Sequence, residues 1–498
     1  MRIVTVVLLA IFSFLLPYLF GGRGLVYHDQ SIIIDGAWRI WNGQIPYRDF
    51  SVIHGPLIFY LQVLAFKVFG LWVFSAVIQA AVLNAVATLL TYWGVKRFLQ
   101  MDEFWAIGAA LLTAYWFFTP LSWPWFETVG YLCFLISCLL IWSGRSSTIF
   151  LAGVFIGLAL LSKANMALAV LLVCPAVLYL LLQPGNKKRG SFWFLAGALS
   201  LLMSWFFYLV VTGSLGGAWV DLFVRASRIN RFDRITALPL MMVENSLTLF
   251  VFIAGCCFWI EKDWQKKRAN GLAALLGIFQ IVVGLFSAAA ATENNIVFIG
   301  WMWVLLVRGL PWQDLLSMKK QKVVFTALLA VFMIFGHQTG YYRVCWQYGF
   351  GSIASSAKKL VPLSHPRLKN ILVQLPYGSE LKELLDWCEQ EVKKEDRIFV
   401  IPAINLLYFV LDKVPPHPYV ILAPDFSLYR DLGDEDRLIA SLEKSKPQWI
   451  ILEKHEQVLG HNTLSQFFGY FPNFLECIKR DYVLYKSLSG YDILRNKT

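Results

Sequence analysis

Two carboxylates stand six residues apart in a polar break between apolar runs. They are Asp29 and Asp35, within His28-Asp29-Gln30-Ser31-Ile32-Ile33-Ile34-Asp35-Gly36-Ala37-Trp38-Arg39-Ile40-Trp41-Asn42-Gly43. Acidic groups beside an apolar groove can deprotonate a hydroxyl or an amine, because burial lifts a carboxyl pKa toward working pH. The plainer alternative is Asp29 as a helix N-cap and Asp35 as the i,i+4 ion-pair partner of Arg39. Residue types alone do not choose between them. A second group is basic: Arg225, Arg228, Arg231 and Arg234 recur every third residue. A guanidinium fork meets phosphate oxygens bidentately, which suits a bound phosphate and anionic headgroups equally. Arg225 and Arg228, one turn apart, can face one ligand together, while the other two rotate away. Lys163, between two apolar runs, either snorkels to an interface or reaches a ligand. Glu127 reads as a solvated loop end, and Glu244, near the start of an apolar run, needs a partner. Nothing demands a metal or another cofactor. His28, Asp29 and His54 could converge on a divalent ion, but two histidines in one loop are a weak signal.

The elements that position these residues are mostly apolar. Hydrophobic residues make up 58% of the 498 positions and charged residues 15%, far from globular averages. Runs of about 17–25 apolar residues recur, the length that crosses a hydrocarbon core of about 30 Å. They lie near 4–21, 72–95, 104–120, 128–143, 148–162, 166–183, 191–211, 239–260, 271–291, 296–310 and 323–339. The fold class expected is a polytopic α-helical membrane protein of about eleven transmembrane helices, with interfacial helices in the first outer loop and a C-terminal soluble α/β domain. The run after Met1-Arg2 has no small-x-small cleavage site and is long enough to span, so it reads as a retained first helix.

Residues 1–340 hold 24 Lys and Arg against 13 Asp and Glu, whereas residues 341–498 hold 20 against 19. The excess sits in short loops, which marks topology and gives no support to nucleic-acid binding. With the N-terminus in the cytoplasm, 15 of the 24 basic residues fall on the inner side, seven of them in loops 184–190 and 261–270. Eleven spans then leave the C-terminus outside. The expected division is a membrane domain over 1–340, with its first outer loop at 22–71, and an extracytoplasmic domain over 341–498. The location expected is the plasma (inner) membrane.

Within the outer loop, Asp29 to Gly43 reads as a short interfacial helix with Trp38 and Trp41 at the membrane surface, and a second amphipathic stretch runs to Gly70. Past residue 340 the texture becomes that of a soluble α/β domain. Residues 379–394 have helical periodicity, 397–402 and 447–452 read as buried strands, and Asp434–Lys446 reads as a helix between strands. Five cysteines (Cys133, Cys138, Cys174, Cys256, Cys257) lie in apolar runs as small core residues. Cys388 and Cys477 could pair in an oxidising compartment.

Residues 29–70 carry Asp29-Gln30, Asp35, Gly43, Pro46-Tyr47, Gly55-Pro56-Leu57 and Phe69-Gly70. This stretch resembles the first outer loop of the C-type membrane glycosyltransferases, in the protein O-mannosyltransferase and lipid A aminoarabinose transferase branch, a glycosyltransferase family 39-like group. Gly157-Leu-Ala-Leu-Leu-Ser-Lys163-Ala-Asn165 is similar to that family's Gly-Leu-Ala…Lys-x-Asn segment, and the tail ending Tyr491-Asp-Ile-Leu looks like its outer domain. The likeness covers most of the chain in layout and about forty residues in specific motifs. It implies transfer of a monosaccharide from a polyprenyl-phosphate-linked donor to a lipid, glycan or protein acceptor on the outer face of the bilayer. By the same likeness Asp29 is the catalytic base, Asp35 supports it, and His54, Lys163, Arg225 and Arg228 bind the donor phosphate. Three departures stand out: Gln30 replaces the second acid of Asp-Glu, Ile53 replaces a Glu, and Glu293-Asn294-Asn295 stands where an aromatic residue is usual. The rival from another class is a transporter or flippase of a lipid-linked saccharide. It would bring inverted repeats and helices broken at the midplane, and neither is clear in the sequence. A non-catalytic scaffold whose outer domain binds a partner is a third reading.

Overall fold

The computed structural model describes residues 2–23, 27–119, 122–182, 187–228, 264–285, 297–309, 320, 322–324, 326–327, 360–402, 404–420, 433–454 and 463–497. The chain divides into two compact units. One comprises Met1–Gly21, Val77–Phe207 and Asn230–Gln347; the other comprises Gly22–Ala76, Tyr208–Ile229 and Tyr348–Thr498.

In chain order the helices through the first two thirds are α1 Arg2–Phe20, α2 Tyr27–Trp41, α3 Leu57–Phe69, α4 Phe74–Arg97, α5 Glu103–Trp116, α6 Phe126–Trp142, α7 Ser146–Ser162, α8 Met166–Leu181, α9 Lys187–Val211, α10 Leu215–Trp219, α11 Trp264–Leu285 and α12 Ile299–Gly309. Three stretches among the described residues are long and apolar enough to cross a membrane: Ile3–Phe20, Phe74–Arg97 and Lys187–Val211. The shorter apolar helices include α6, α7 and α8. At 1.5 Å per residue a 17-residue helix spans about 26 Å, so these stop just short of a full hydrocarbon core. The expected count of eleven is therefore not reached among the described residues. The expected run 239–260 lies outside them, as does Glu244, and only a few residues of 323–339 fall within.

The first unit is a helical bundle held by side-chain packing and a few buried polar ties. Asn84 is fully buried; its Nδ2 donates to the carbonyls of Ser13 and Ala114, each at 2.8 Å, and its Oδ1 accepts from the Phe118 amide at 3.1 Å. One amide thus joins α1, α4 and the end of α5, satisfying buried backbone groups on both neighbours of α4. Phe134 of α6 and Phe279 of α11 stack at 3.7 Å. Helices α7 and α9 approach through facing glycines. A Cβ on Gly153 would fall 2.0 Å from the Phe194 carbonyl oxygen, and one on Gly197 would fall 1.9 Å from that of Phe150. Small residues are what allow backbones this close.

The second unit joins the first outer loop to the C-terminal region. Its further elements are β1 Leu360–Pro362, β2 Leu372–Gln374, α13 Tyr377–Glu391, β3 Ile398–Ile401, α14 Leu406–Val410, α15 Asp434–Ser445, β4 Trp449–Glu453, α16 Thr463–Tyr470, α17 Pro472–Asp481, β5 Tyr482–Ser487 and β6 Tyr491–Asn496. Strands β3, β4, β6 and β5 form a sheet in that order, with β3 and β4 parallel and the remaining pairs antiparallel. Both β3 and β4 are buried at every position, as expected of parallel strands covered on two faces. Helix α2 packs against α3 so closely that a Cβ on Gly36 would lie 2.5 Å from the Phe59 ring. Phe409 of α14 stacks on Phe66 of α3 at 5.2 Å and meets Trp38 edge-on at 5.5 Å. Trp38 is therefore buried in this unit, with its indole N–H on the Lys413 carbonyl at 2.7 Å. It does not stand at a membrane surface as its residue type suggests. Cys388 and Cys477 are both free thiols, so the conceivable disulfide is not formed.

Candidate active site

Helix α2 begins at Tyr27, so Asp29 is its third residue and lies inside the first turn, not at the N-cap. The side chains of His28 and Asp29 lie outside what the structure describes. Six residues at 100° each put Asp35 about 120° around the helix from Asp29. The two backbone positions therefore lie on different sides of α2. Asp35 is completely buried and accepts from Arg39 Nε at 2.9 Å. Arg39 in turn donates Nη1 to the His417 carbonyl at 2.8 Å. Burial pushes the Asp35 carboxyl up to about 6, by more than the Arg39 charge and hydrogen bond pull it down. The geometry makes Asp35 a clamp between α2 and residues 417–419.

The loop after α2 is fixed on both sides. Gly43 has φ +84, which ends the helix as a left-handed residue. Tyr47 donates its hydroxyl to the His54 carbonyl at 2.7 Å, and the Ser51 amide donates to the Pro418 carbonyl at 2.6 Å. His54 is buried at the end of this loop.

Arg225 closes a π-helical turn, Val220–Arg225, a distortion common at functional sites. The guanidinium expected on a phosphate is 1% exposed and pairs with Asp221 and Asp434, with Nη1 also on the Ser51 hydroxyl. Asp221 additionally accepts from the Val52 amide at 2.9 Å, and Asp434 from the Tyr419 hydroxyl at 2.6 Å. Burial raises the Asp221 carboxyl against the opposing pull of Arg225. The i,i+4 spacing of Asp221 and Arg225 is a sequence signal for this pair, whereas the second partner, Asp434, lies 209 residues away and beyond reach of spacing. The Arg228 side chain, and Arg231 and Arg234 entirely, lie outside the described residues.

Above this network opens a cleft of about 370 Å³. Ser51, Asp221 and Arg225 form its buried floor, and the exposed Arg48 and Arg437 stand at its mouth. Gly217 brings α10 against the loop: a Cβ there would fall 1.8 Å from the Tyr47 carbonyl oxygen. None of Arg48, Ser51, Asp221, Asp434 or Arg437 was singled out by spacing or motif.

In the other unit, Lys163 follows α7 in extended conformation and is 9% exposed. Its ammonium pairs with Glu127 in the first turn of α6. Glu127 is fully buried and is not the solvated loop end that its position beside a polar break suggested. The signal available in the sequence was an acid placed directly before an apolar run. Asn165 donates to the Val283 carbonyl at 3.2 Å, tying the same segment to α11. Among the described residues no group of three His, Cys, Asp or Glu side chains could hold a metal ion.

No family model matches the chain, and no curated protein matches it in sequence. Solved structures do. ArnT from Cupriavidus metallidurans bound to undecaprenyl phosphate aligns with TM-score 0.60 at 13% identity, covering 99% of this chain and 97% of that one. The apo state of the same protein gives TM-score 0.59 at 12% identity over the same shares. The oligosaccharyltransferase of Archaeoglobus fulgidus, solved with Zn and sulfate, gives 0.48 at 13% identity, covering 99% and 73%. Over nearly its whole length the chain has the fold of ArnT.

Proposed function

We propose that the protein is a membrane glycosyltransferase that moves a monosaccharide from a polyprenyl-phosphate-linked donor to an acceptor on the outer face of the plasma (inner) membrane. The observation that carries this is the end-to-end fold correspondence with a protein solved holding undecaprenyl phosphate. A fold alone hosts many functions. The acid-bearing helix α2 in the first loop and the basic residues named above supply the matching chemistry.

In the proposed reaction the Asp29 carboxylate takes a proton from the acceptor's hydroxyl or amine. The freed electron pair attacks the anomeric carbon, the bond from that carbon to the phosphate oxygen breaks, and polyprenyl phosphate leaves as the anion. Asp35 supports Asp29 by clamping α2 through Arg39. Lys163, held by Glu127, and His54 and Arg228 are the proposed phosphate residues. Fixed positive charge aimed at a developing anion is commonly the largest single contribution to such a step. Arg225, already ringed by Asp221 and Asp434, acts by anchoring the turn that carries Arg228.

The test is release of free polyprenyl phosphate from a sugar-labelled polyprenyl-phosphate donor by the purified chain. Release is expected with the wild type and is expected to fall about 10²–10⁴-fold in Asp29→Asn, the usual worth of a general base. A folded, membrane-inserted wild type that releases none overturns the assignment. Unchanged release in Asp29→Asn removes Asp29 from the role.

A further inference from the structure

The helical stretch from Leu215 to Arg228 has two unlike faces. Ala218, Asp221 and Arg225 are buried, and the two charges are tied to Ser51, Val52 and Asp434. Leu215, Trp219 and Phe223 stand outward at four-residue spacing, with Trp219 61% and Phe223 58% exposed. Two residues separate each exposed ring from a buried charge, close to half a helical turn. The rings pack against each other with centroids 4.7 Å apart, so their apolar surface is one patch. A contiguous exposed apolar patch marks a surface that something covers. The chain itself indicates what does so. Helix α9 is long and apolar enough to cross a membrane, and Phe206, Phe207, Val210 and Val211 at its end are exposed as on a lipid-facing helix. Leu215 follows Val211 by four residues, a reach of at most about 14 Å. The turn between them is drawn tighter by the Ser214 amide on the Leu209 carbonyl at 2.8 Å and by Gly213 at φ +70. The stripe therefore begins at the level where α9 leaves the hydrocarbon. At this same end of α9 the Tyr208 hydroxyl meets that of Tyr60 at 3.0 Å. From Tyr60 onward α3 shows a second outward stripe, Tyr60, Leu64 and Val68.

We propose that Leu215, Trp219 and Phe223, continued by Tyr60, Leu64 and Val68, are seated in the bilayer interface, with the stretch 215–228 lying flat on the hydrocarbon boundary. The occupant of this face is lipid, because the patch continues the lipid-exposed end of α9 and carries an indole, the side chain that favours the boundary between hydrocarbon and water. An interfacial helix sinks its apolar face about 5–10 Å into that boundary. The membrane thereby fixes the height of the ionic network on the opposite face. The cleft lined by Gly216, Val220 and Asp221 then opens within a helix diameter, about 10–12 Å, of the hydrocarbon. A ligand anchored in the bilayer reaches it without leaving the headgroup layer. This seating does not depend on the transferase reading.

The experiment replaces Phe223 by a fluorescent amino acid, acridonylalanine, in the full chain reconstituted in nanodiscs. Two quenchers are compared: lipids brominated on the upper acyl carbons, and iodide in the water. The same label in place of Lys479, exposed on α17, is the aqueous reference. The expected result is a ratio of lipid to iodide quenching at least fivefold higher at position 223 than at 479. Iodide quenching at 223 as strong as at 479 would put this face in water and overturn the proposal. Weak quenching by both agents would mean a protein cover, such as a second copy of the chain, and would overturn it equally. Phe223 and Trp219 are both exposed, so the label disturbs no packed core at either position. Circular dichroism melts confirm folding, and the label at Trp219 decides if the variant at 223 does not fold. Because no donor is present, failure here is separate from failure to release polyprenyl phosphate.

Discussion

The charged side chains that spacing made conspicuous divide by what surrounds them. The Asp35–Arg39 pair and Arg225 are internal ties, each with hydrogen-bond partners far along the chain. Breaking such a tie on one side leaves a charge buried without its partner, which costs about 3–5 kcal/mol. Arg225→Met, which leaves Asp221 and Asp434 buried without their guanidinium, should therefore lower the melting temperature of the purified chain markedly. A melt of Arg225→Met equal to wild type would show that the two carboxylates do not depend on the Arg225 charge. Asp35 adds a pH signature. An acid near 4 when unfolded and about 6 in the fold binds its proton more tightly when folded. Its contribution to stability is present below about pH 4 and is lost as pH rises through 6, by about 3 kcal/mol at most. The melting temperature of wild type relative to Asp35→Asn, whose amide does not titrate, should fall between pH 4 and 7. Parallel pH profiles would remove burial as the dominant influence on Asp35. The i,i+4 pairing of Asp35 with Arg39 was legible from spacing, whereas its burial was not, because it depends on backbone carbonyls 378 and more residues away.

At the scale of elements, periodicity located α2, α3, α13 and α15 and strands β3 and β4 within a few residues, because each has a clear apolar face or a short buried run. The relation between Asp29 and Asp35 was harder to see, since it needs the helix start. Once α2 begins at Tyr27, one acid belongs to the first turn and the other points into the unit. Sequence could not reveal the facing glycines of α7 and α9, where contact replaces a pattern with a single missing atom. Gly153→Leu should push the two helices apart, a close-packing clash of about 1–3 kcal/mol. The measurement is the detergent-resistance half-life of the purified protein, expected to shorten in Gly153→Leu and to shorten no further when Gly197→Leu is added. Fully additive effects would mean that the two glycines serve separate contacts.

For the molecule as a whole, the proposed outer-face reaction requires the first loop and the C-terminal region to lie on the outer side of the membrane. Cys477, half-exposed on α17, reports on this directly. A membrane-impermeant maleimide should label it in intact cells, while buried Cys388 should react only after denaturation. Labelling of Cys477 that appears only in opened cells reverses the orientation and with it the outer-face reaction.

The hydrogen bonds from Trp38, Arg39 and Ser51 to residues 413–418 also set a schedule for biosynthesis. The first loop emerges from the ribosome early, yet the segment that satisfies it is made about 380 residues later. At about 5–20 residues per second this is a delay of roughly 20–80 s. During that interval Arg39 Nη1 and the indole of Trp38 lack their native acceptors, the carbonyls of His417 and Lys413, so the loop cannot reach its final conformation alone. A chain ending near residue 340 should insert normally yet leave the loop open to added protease, whereas the full chain protects it. Quality-control proteases would thus read the arrival of the C-terminal segment as the signal that the loop is complete.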